Sequence, residues 1–475
     1  MFSVKRIFNA ADARRTRLRI FGLSLLASLA GCEVGPDYHR PAVETPGAYK
    51  ELGKWKQAQP QDRVLRENWW EIYHDPVLNG LLDQVAVSNQ NVLLAAAQYR
   101  QARALLDAAM AAYWPTVTAG VSSTSSHTAS TQFAIKGVNT FDNIALNAGW
   151  ELDIWGRIRR LVEASRASAA ASAADWAAAI LSMQTTLGES YMQLRIVDRQ
   201  TELLQRMVAA DRTTLQITRN MYEGGTVSNL NVELANTQLK STEAQMLDLG
   251  VQRAQLEHAI ALLIGKAPAD FSLPPDGTLP ALPSTPVAVP SALLERRPDI
   301  AAAERRVAAA NAEIGVAEAA FFPTLTLNAT GGYQGVSFAN LISAPYQYWS
   351  VGPALAGTLF NGGLFSAQKA EAVAAYDTTV ATYRQTVLTG FQEVEDNLAT
   401  LRILKQEIVV QQAAVASAHA ALDIANNQYA AGTVSYLNVL TAQVAALNAD
   451  SSNLNMAGRD LVASVGLVTA LGGSW

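Results

Sequence analysis

The stretch Ile180–Tyr222, ILSMQTTLGESYMQLRIVDRQTELLQRMVAADRTTLQITRNMY, decides the fold of this chain. One series of side chains recurs in it at every seventh position: Ile180, Leu187, Leu194, Thr201, Val208, Leu215 and Tyr222. A seven-residue repeat keeps mostly apolar side chains on one side of an α-helix and winds that helix left-handedly around a neighbour. The stretch therefore predicts a long coiled helix.

A second series in the same register indicates that the chain is duplicated. It begins 207 positions later and comprises Val387, Val394, Leu401, Ile408, Val415, Leu422 and Tyr429. The halves also match upstream, where AAYWPTVT from Ala111 corresponds to AAFFPTLT from Ala319. We therefore expect the 475 residues to form two similar halves rather than several unrelated domains.

Proline marks the boundary between the halves. None occurs between Pro115 and Pro268 or after Pro353, whereas eight crowd between Pro268 and Pro298. Because proline breaks helix interiors, the proline-free stretches can hold long helices and the cluster predicts a linker.

Each half also contains two stretches with the period of a β-strand. Ile144, Leu146, Ala148, Trp150 and Leu152 alternate with polar residues, and Trp349, Val351, Leu355 and Leu359 alternate with small ones. Similar alternation follows Pro115 and Pro323. Polar loops are expected at 122–140 and 335–345. Each half should thus carry one hairpin of strands and one hairpin of helices.

These signals give a provisional division of the chain. A signal peptide (1–31) precedes an N-terminal lipidated segment (32–75) and a Pro-rich linker (266–297) separates two repeats. The first repeat (76–265) contains a strand hairpin (115–152), a long helix (157–222) and a return helix (228–265); the second (298–475) contains the corresponding elements at 323–360, 364–429 and 435–471. At 1.5 Å per residue, each long helix would span roughly 100 Å.

The N-terminus predicts an exported lipoprotein. Basic residues precede an apolar stretch from Ile20 to Ala30, and the sequence Leu29-Ala30-Gly31-Cys32 resembles the bacterial lipoprotein cleavage box. Cys32 would then carry an N-acyl diacylglycerol group, the one covalent group expected, and no other cofactor is predicted. Glu33 follows Cys32, and lipoproteins without aspartate at that position are usually sent to the outer membrane.

Charge and hydropathy exclude other classes. Without residues 1–31 the chain keeps 30 basic and 40 acidic side chains, so nucleic acid is not an expected partner. Beyond the signal no run of 18 uninterrupted apolar residues occurs, so we expect any membrane crossing to use a β-barrel. Membrane barrels start at about eight strands. Four strands per chain must therefore be pooled among copies, and three copies would supply twelve.

The chain resembles the TolC-like outer-membrane factor family, in particular the lipoprotein (NodT-type) branch that serves resistance-nodulation-division efflux systems. The resemblance rests on strings spread over the whole mature chain: CEVGPDYHRP from Cys32, WELDIWGR from Trp150, ERRPDI from Glu295, FFPT from Phe321, FNGG from Phe360 and ALGGSW from Ala470. It implies a mainly α fold with a small β part. A trimeric outer-membrane β-barrel of twelve strands, four per chain, would continue as a long α-helical coiled-coil barrel into the periplasm.

The resemblance also implies a function, partners and sites. The homotrimer would be the passive exit duct of a tripartite pump, contacting outer-membrane lipid, a periplasmic adaptor (membrane-fusion) protein and an inner-membrane pump of the resistance-nodulation-division class. Adaptor contacts fall on the helix-hairpin tips: Gly225, Thr226, Val227, Ser228, Gly432, Thr433, Val434 and Ser435. The same residues are also what a helix reversal requires, with glycine ending one helix and serine capping the next. The periplasmic aperture falls on Leu422 and Asn426, although Leu422 is also a heptad position.

Enzyme chemistry finds no support in the sequence. The five histidines are scattered without metal-ligand spacing, so no metal site is expected. Glu71, His74 and Asp75 lie close together in the sequence, but no further catalytic group or pocket accompanies them, so no catalytic site is expected. Two alternatives to a drug-efflux duct stay open at this point. One is a channel for type I protein secretion, and the other is a coiled-coil lipoprotein that tethers envelope layers without forming a channel.

Overall fold

The computed structural model describes residues 33–51, 68–127, 138–283 and 296–473. Within these ranges the helices are α1 (Pro76–Ser88), α2 (Gln90–Ala111), α3 (Arg157–Glu223), α4 (Asn229–Leu263), α5 (Pro298–Ala319), α6 (Leu364–Ala430) and α7 (Tyr436–Ala470). The strands are β1 (Thr116–His127), β2 (Val138–Leu152), β3 (Thr324–Gly335) and β4 (Gln347–Ala356). Cys32 and the signal peptide lie outside the described residues.

The two long helices have the same length. Both α3 and α6 contain 67 residues, which corresponds to about 100 Å of helix. They begin at Arg157 and Leu364, where the sequence places them, and each ends one residue beyond the predicted bound. The seven-residue period and the absence of proline were sufficient to predict these helices.

Contacts divide the chain into two compact units that interleave in sequence. The first takes its described residues from Met1–Pro41, Arg100–Ala171 and Ala303–Thr382. The second takes them from Ala42–Tyr99, Ser172–Ala302 and Tyr383–Trp475. Each unit contains segments of both repeats, so the duplication along the chain does not coincide with the division in space.

A four-stranded antiparallel sheet dominates the first unit. Its order is β1-β2-β3-β4, with Val117 opposite Ala148, Ala148 opposite Ala329, and Ala329 opposite Val351. The two hairpins therefore pair side by side through β2 and β3. In the described chain β1 and β4 each pair along one edge only.

Two details of the strand prediction are wrong. All described residues of the expected polar loop at 122–140 are strand, because β1 continues to His127 and β2 already begins at Val138, and residues 128–137 lie outside the described ranges. Its serines and threonines join the ladder, and the Ser125 and Thr140 hydroxyls lie 3.0 Å apart across it. Leu359 lies beyond the end of β4 and is fully exposed. Alternation alone could not distinguish a hydroxyl-rich strand from a loop.

The second unit has an apolar core in which aromatic side chains pack against the helices. Trp69, Trp70 and Tyr73 are buried among residues of α1, α3, α4 and α7, and the Tyr73 hydroxyl lies 2.8 Å from Ser464 Oγ. Heptad positions of α3 belong to this core or to a smaller cluster further along the helix. Both heptad series are buried over part of their length: Leu187, Leu194, Val208, Leu215, Val387, Val394, Leu401 and Tyr429.

Buried ion pairs fix the described part of the proline-rich linker. Asp198 accepts hydrogen bonds from Arg253 Nε (2.8 Å) and from the Asp276 amide (3.1 Å). Arg253 also donates to the Leu273 carbonyl at 2.6 Å, and Arg195 lies 3.5 Å from Asp198. The linker is thus held to α3 and α4 by charged side chains, whereas residues 284–295 lie outside the described ranges.

One helix of the described chain, α6, has an 18-residue window apolar enough to cross a membrane by length and composition, and 6% of that window is buried. The sequence shows no uninterrupted apolar run there because Gln411, Gln412, His419 and Asp423 interrupt the apolar positions. A helix that offers an apolar seam to other helices satisfies the same criterion.

Candidate functional site

The end of α3 is a helix cap of the Schellman type. Gly225 adopts φ 72°, its amide donates to the Tyr222 carbonyl at 2.9 Å, and the Thr226 amide donates to the Met221 carbonyl at 2.9 Å. The Thr226 hydroxyl donates to the same Met221 carbonyl at 2.7 Å. Thr226 therefore donates two hydrogen bonds, one from its amide and one from its hydroxyl, to the Met221 carbonyl near the end of α3.

The end of α6 repeats this arrangement. Gly432 adopts φ 73°, its amide donates to the Tyr429 carbonyl at 2.9 Å, and the Thr433 amide donates to the Gln428 carbonyl at 3.0 Å. The Thr433 hydroxyl reaches that carbonyl at 3.0 Å. The two reversals are thus built by the same hydrogen bonds at equivalent positions of the duplication.

The serines at the tips do not act as predicted. Ser228 and Ser435 occupy the N-cap positions of α4 and α7, but neither side chain makes a capping hydrogen bond. Their carbonyls accept instead from Asn231 and Asn438, each at 3.1 Å. Both serines are exposed, which leaves their hydroxyls at the surface of the reversals. Val227 and Val434 are half-buried, whereas the glycines and threonines are exposed.

A mixed apolar and hydroxyl cluster lies between the four helices near the tips. Tyr429 and Tyr436 have ring centroids 5.6 Å apart, and the Tyr429 hydroxyl lies 3.3 Å from Thr218 Oγ1. Asp211 accepts a hydrogen bond from Thr242 at 2.8 Å, and burial raises the pKa of its carboxyl group. Val434 packs against this cluster, so the second tip is joined to the helix core.

The proposed aperture residues lie on α6 just before this cluster. Leu422 is half-buried and Asn426 is exposed, one turn before buried Tyr429. Their assignment to a constriction stays a prediction.

Equivalent ion pairs join the helices of each hairpin, and sequence reasoning missed them. Arg212 of α3 lies 2.8 Å from Glu243 of α4. His419 of α6 lies 2.9 Å from Asp450 of α7. Both residues of the second pair stand 207 positions after those of the first. Aligning the two repeats for opposite charges would have found both pairs.

The sheet separates most polar and apolar side chains between its two faces, except at its far end, where Ser123, Ser125 and Asp142 share the face of Val121. The register places on one face Val117, Ala119, Val121, Ile144, Leu146, Ala148, Trp150, Leu152, Leu325, Leu327, Ala329, Trp349, Val351, Pro353 and Leu355. Several of these are strongly exposed, including Val121 at 68%, Trp349 at 74% and Leu355 at 67%. Such a large exposed apolar face indicates contact with lipid or protein rather than water.

The opposite face carries amides and hydroxyls. Thr330 donates to Asn147 at 2.9 Å, Tyr348 donates to Asn143 at 2.9 Å, and Asn328 donates to Thr326 at 3.1 Å. Glu151, at the end of β2, is neutralised by Arg157 at 2.7 Å. This face suits water, and its residues bear no net charge.

Among the residues in the described ranges, no group of three or more His, Cys, Asp or Glu side chains is placed to hold a metal ion.

Known proteins show the same organisation. The model of the outer membrane efflux protein family matches residues 81–266 and 289–473. A solvent efflux pump outer membrane protein, SrpC of Pseudomonas putida, is 30% identical over 457 residues, covering 95% of this chain and 97% of SrpC. A toluene efflux pump outer membrane protein of the same species, TtgF, is 29% identical over 464 residues, with 95% and 96% covered. The solved structure of the outer-membrane channel OprN superposes with a TM-score of 0.87 at 29% identity, covering 94% of this chain and all of OprN.

Proposed function

The chain belongs to the outer membrane efflux protein family, and we propose that three copies of it form the passive exit duct of a tripartite pump for small molecules. As a member of this family it is an outer-membrane component of an efflux system, with a helical barrel and a smaller β part. The number of copies, the partner proteins and the cargo are the parts that we propose.

The sheet is the observation that carries the proposal. Its exposed face is apolar in a band that crosses all four strands, with polar residues such as Ser123 and Asp142 beyond the end of that band, and its other face carries mainly hydroxyl and amide groups. Membrane barrels have this alternation, with lipid outside and water inside. A coiled-coil tether would need neither face, so the sheet favours a channel over a structural lipoprotein.

The free edges of β1 and β4 support assembly from several copies. Four strands cannot enclose a water-filled path, and an unpaired strand edge in lipid leaves backbone groups without partners. Three copies would supply twelve strands and join each β4 to the next β1. Planar-bilayer recordings of the purified protein should show a steady conductance. A compact, water-soluble monomer without conductance would contradict the proposal.

The two helix reversals are proposed to contact a periplasmic adaptor bound to an inner-membrane pump. Support comes from their identical hydrogen bonding, their exposure and the unused hydroxyls of Ser228 and Ser435. Because the Ser435 side chain makes no capping bond, Ser435→Trp should leave the fold intact and reduce export by obstructing the contact. Ser435→Ala is the matched control and should export normally. Normal export by the tryptophan variant would remove this tip from the contact.

Lipid attachment at Cys32 and small organic cargo complete the proposal. Cys32→Ser should abolish incorporation of labelled fatty acid, as measured on the purified protein. Relatives named for solvent and toluene efflux suggest that a deletion strain would become more sensitive to organic solvents, and complementation should restore growth. Defective secretion of a protein with unchanged solvent tolerance would point instead to type I secretion.

A further inference from the structure

The second compact unit contains a groove of about 640 Å³ bordered by α3, α4, α6 and α7. Apolar side chains, including Ile196, Leu256 and Val462, line part of it, and amide side chains such as Gln193, Gln252 and Asn397 line the remainder. An apolar surface with a few polar groups is the usual composition of a small-molecule site.

Two glycines of α7 line the groove at points where α3 and α6 approach α7 closely. A Cβ on Gly458 would lie 3.0 Å from Ile196 Cγ1, and one on Gly466 would lie 2.7 Å from Asn397 Oδ1. Gly188 of α3 stands opposite Val465, so Glu189 is at the Gly466 end and Arg459 is at the other. Arg459 and Gly466 are seven positions apart on α7, which gives the groove a length of about 10 Å.

Glu189 supplies an unbalanced negative charge at one end. Among the described residues its carboxylate has neither an ion pair nor a hydrogen-bond partner, and burial raises its pKa. Arg459 does not compensate, because it lies at the opposite end and pairs with Glu407 at 3.8 Å. A half-buried carboxylate without a counter-charge favours a cationic ligand.

The groove faces away from the segments that cover these helices. Arg195, Arg402 and Ser464 bind the linker, Glu51 and Tyr73 respectively. The groove residues Gln193, Thr400 and Val462 each stand two positions earlier, which is about 200° around the helix. The described parts of the linker (266–283) and of the N-terminal segment (33–51 and 68–75) therefore leave this face uncovered.

We propose that this groove binds organic cations with an apolar body, the charged nitrogen lying against Glu189 and the body against Ile196, Leu256 and Val462. In the assembled duct the uncovered helix face would border the water-filled path, so the groove would hold cationic cargo transiently during export. That role rests on the proposed function, whereas the binding itself does not.

Binding of ethidium, a planar aromatic cation with a permanent charge, tests the site. Its fluorescence anisotropy is measured with the full-length protein in lipid nanodiscs, and anionic fluorescein is the charge control. Glu189→Gln should weaken ethidium binding roughly tenfold. Glu202→Gln is the matched control, since Glu202 lies on the same helix outside the groove and pairs with Arg199. The affinity of the Glu202→Gln variant for ethidium should equal that of the natural protein.

A second variant keeps the test informative if Glu189→Gln alters the fold. Gln193→Arg places a cation four residues after Glu189, where the two side chains can pair along α3. This variant should retain the fold and also lose ethidium binding. Because ethidium does not titrate, its affinity for the natural protein should fall in acid as Glu189 becomes protonated. Unchanged affinity in both variants, or equal binding of fluorescein, would overturn the proposed site.

Conductance of the same preparation separates this inference from the proposed function. Normal conductance without Glu189-dependent ethidium binding would refute the groove alone. Glu189-dependent binding without conductance would refute the duct alone.

Discussion

At the residue scale, the two glycines of the reversals are required by backbone conformation rather than by space. Gly225 and Gly432 have positive φ values, yet a Cβ at either would meet no atom within 4 Å. Threonine then contributes a second hydrogen bond to the carbonyl that its own amide already binds. Each tip thus depends on a Gly-Thr pair, in which the glycine adopts the positive φ and the threonine donates the additional hydrogen bond.

Gly432→Ala should therefore destabilise the protein by about 1 kcal/mol, because alanine is strained at positive φ. Gly250→Ala is the matched control, since Gly250 lies inside α4 and also has nothing within 4 Å of a Cβ. It should stabilise by a similar amount. Denaturant unfolding of the purified variants measures both changes, and equal signs would contradict the conformational explanation.

Buried Asp211 gives stability a dependence on pH. Burial raises the pKa of its carboxyl group, so ionisation favours the unfolded chain, and this contribution to stability is lost as pH rises through the folded-state pKa. Asp211→Asn removes the titration. As the pH rises above about 4, the ordinary pKa of an aspartate, the free energy of unfolding of this variant should increase relative to that of the natural protein. A difference that stays constant as the pH rises would show that Asp211 is not the titrating group.

At the element scale, the two-residue period of the strands places neighbouring side chains on opposite faces of the sheet, one suited to lipid and the other to water. Val121 and Ser122 are neighbours in β1 but belong to opposite faces of the sheet. Every strand obeys the same register, so the apolar face is continuous from β1 to β4. A helix hairpin, in contrast, is fixed by both its heptad seam and interhelical ion pairs, such as Arg212–Glu243 and Arg253–Asp198 between α3 and α4.

Val121→Arg should impair insertion by about 2–4 kcal/mol if it lies near the middle of the bilayer, whereas Ser122→Arg should be tolerated. The amount of each variant in the outer-membrane fraction is the measurement. If both arginines are equally harmful or equally harmless, the assignment of faces is wrong.

At the scale of the whole molecule, the sheet is incomplete within one chain. Two strands separate β1 from β4, so the edges lie roughly 14 Å apart or more, far beyond the reach of a disulfide. Any covalent link between these edges must therefore join different copies. Cys32 is the only natural cysteine, which makes engineered pairs easy to interpret.

A chain carrying Ser122→Cys with a cysteine at Tyr348, Ser350 or Gly352 of β4 should form a covalent trimer on oxidation at one of these positions. Non-reducing gels of the membrane fraction would show it. Ser122→Cys alone is the control and should give no species larger than a dimer. A ladder that continues beyond three copies would indicate open chains of subunits instead of a closed ring.

Much of the fold could be predicted because its signals are periodic. Heptads such as Leu187 and Leu194, proline boundaries and Gly-Thr turns specify helix ends from neighbouring residues alone. The hydroxyl-rich end of β1 was not predicted as strand, because its serines and threonines are equally common in loops. The capping role of the Ser228 and Ser435 side chains was wrong, because neither hydroxyl accepts a hydrogen bond from the first turn of the helix that follows it.

The sequence by itself determined the duplication, the long helices, the alternating strands and the family, since each depends on residues close in the chain or on their order. Tertiary contacts alone select the pairing of β2 with β3, the attachment of the described part of the linker to Asp198, and the position of Glu189, unpaired among the described residues, at the Gly466 end of the groove. These features join residues far apart in sequence, where loop closure and packing select one partner among many. The local sequence pattern does not specify which of these partners is selected.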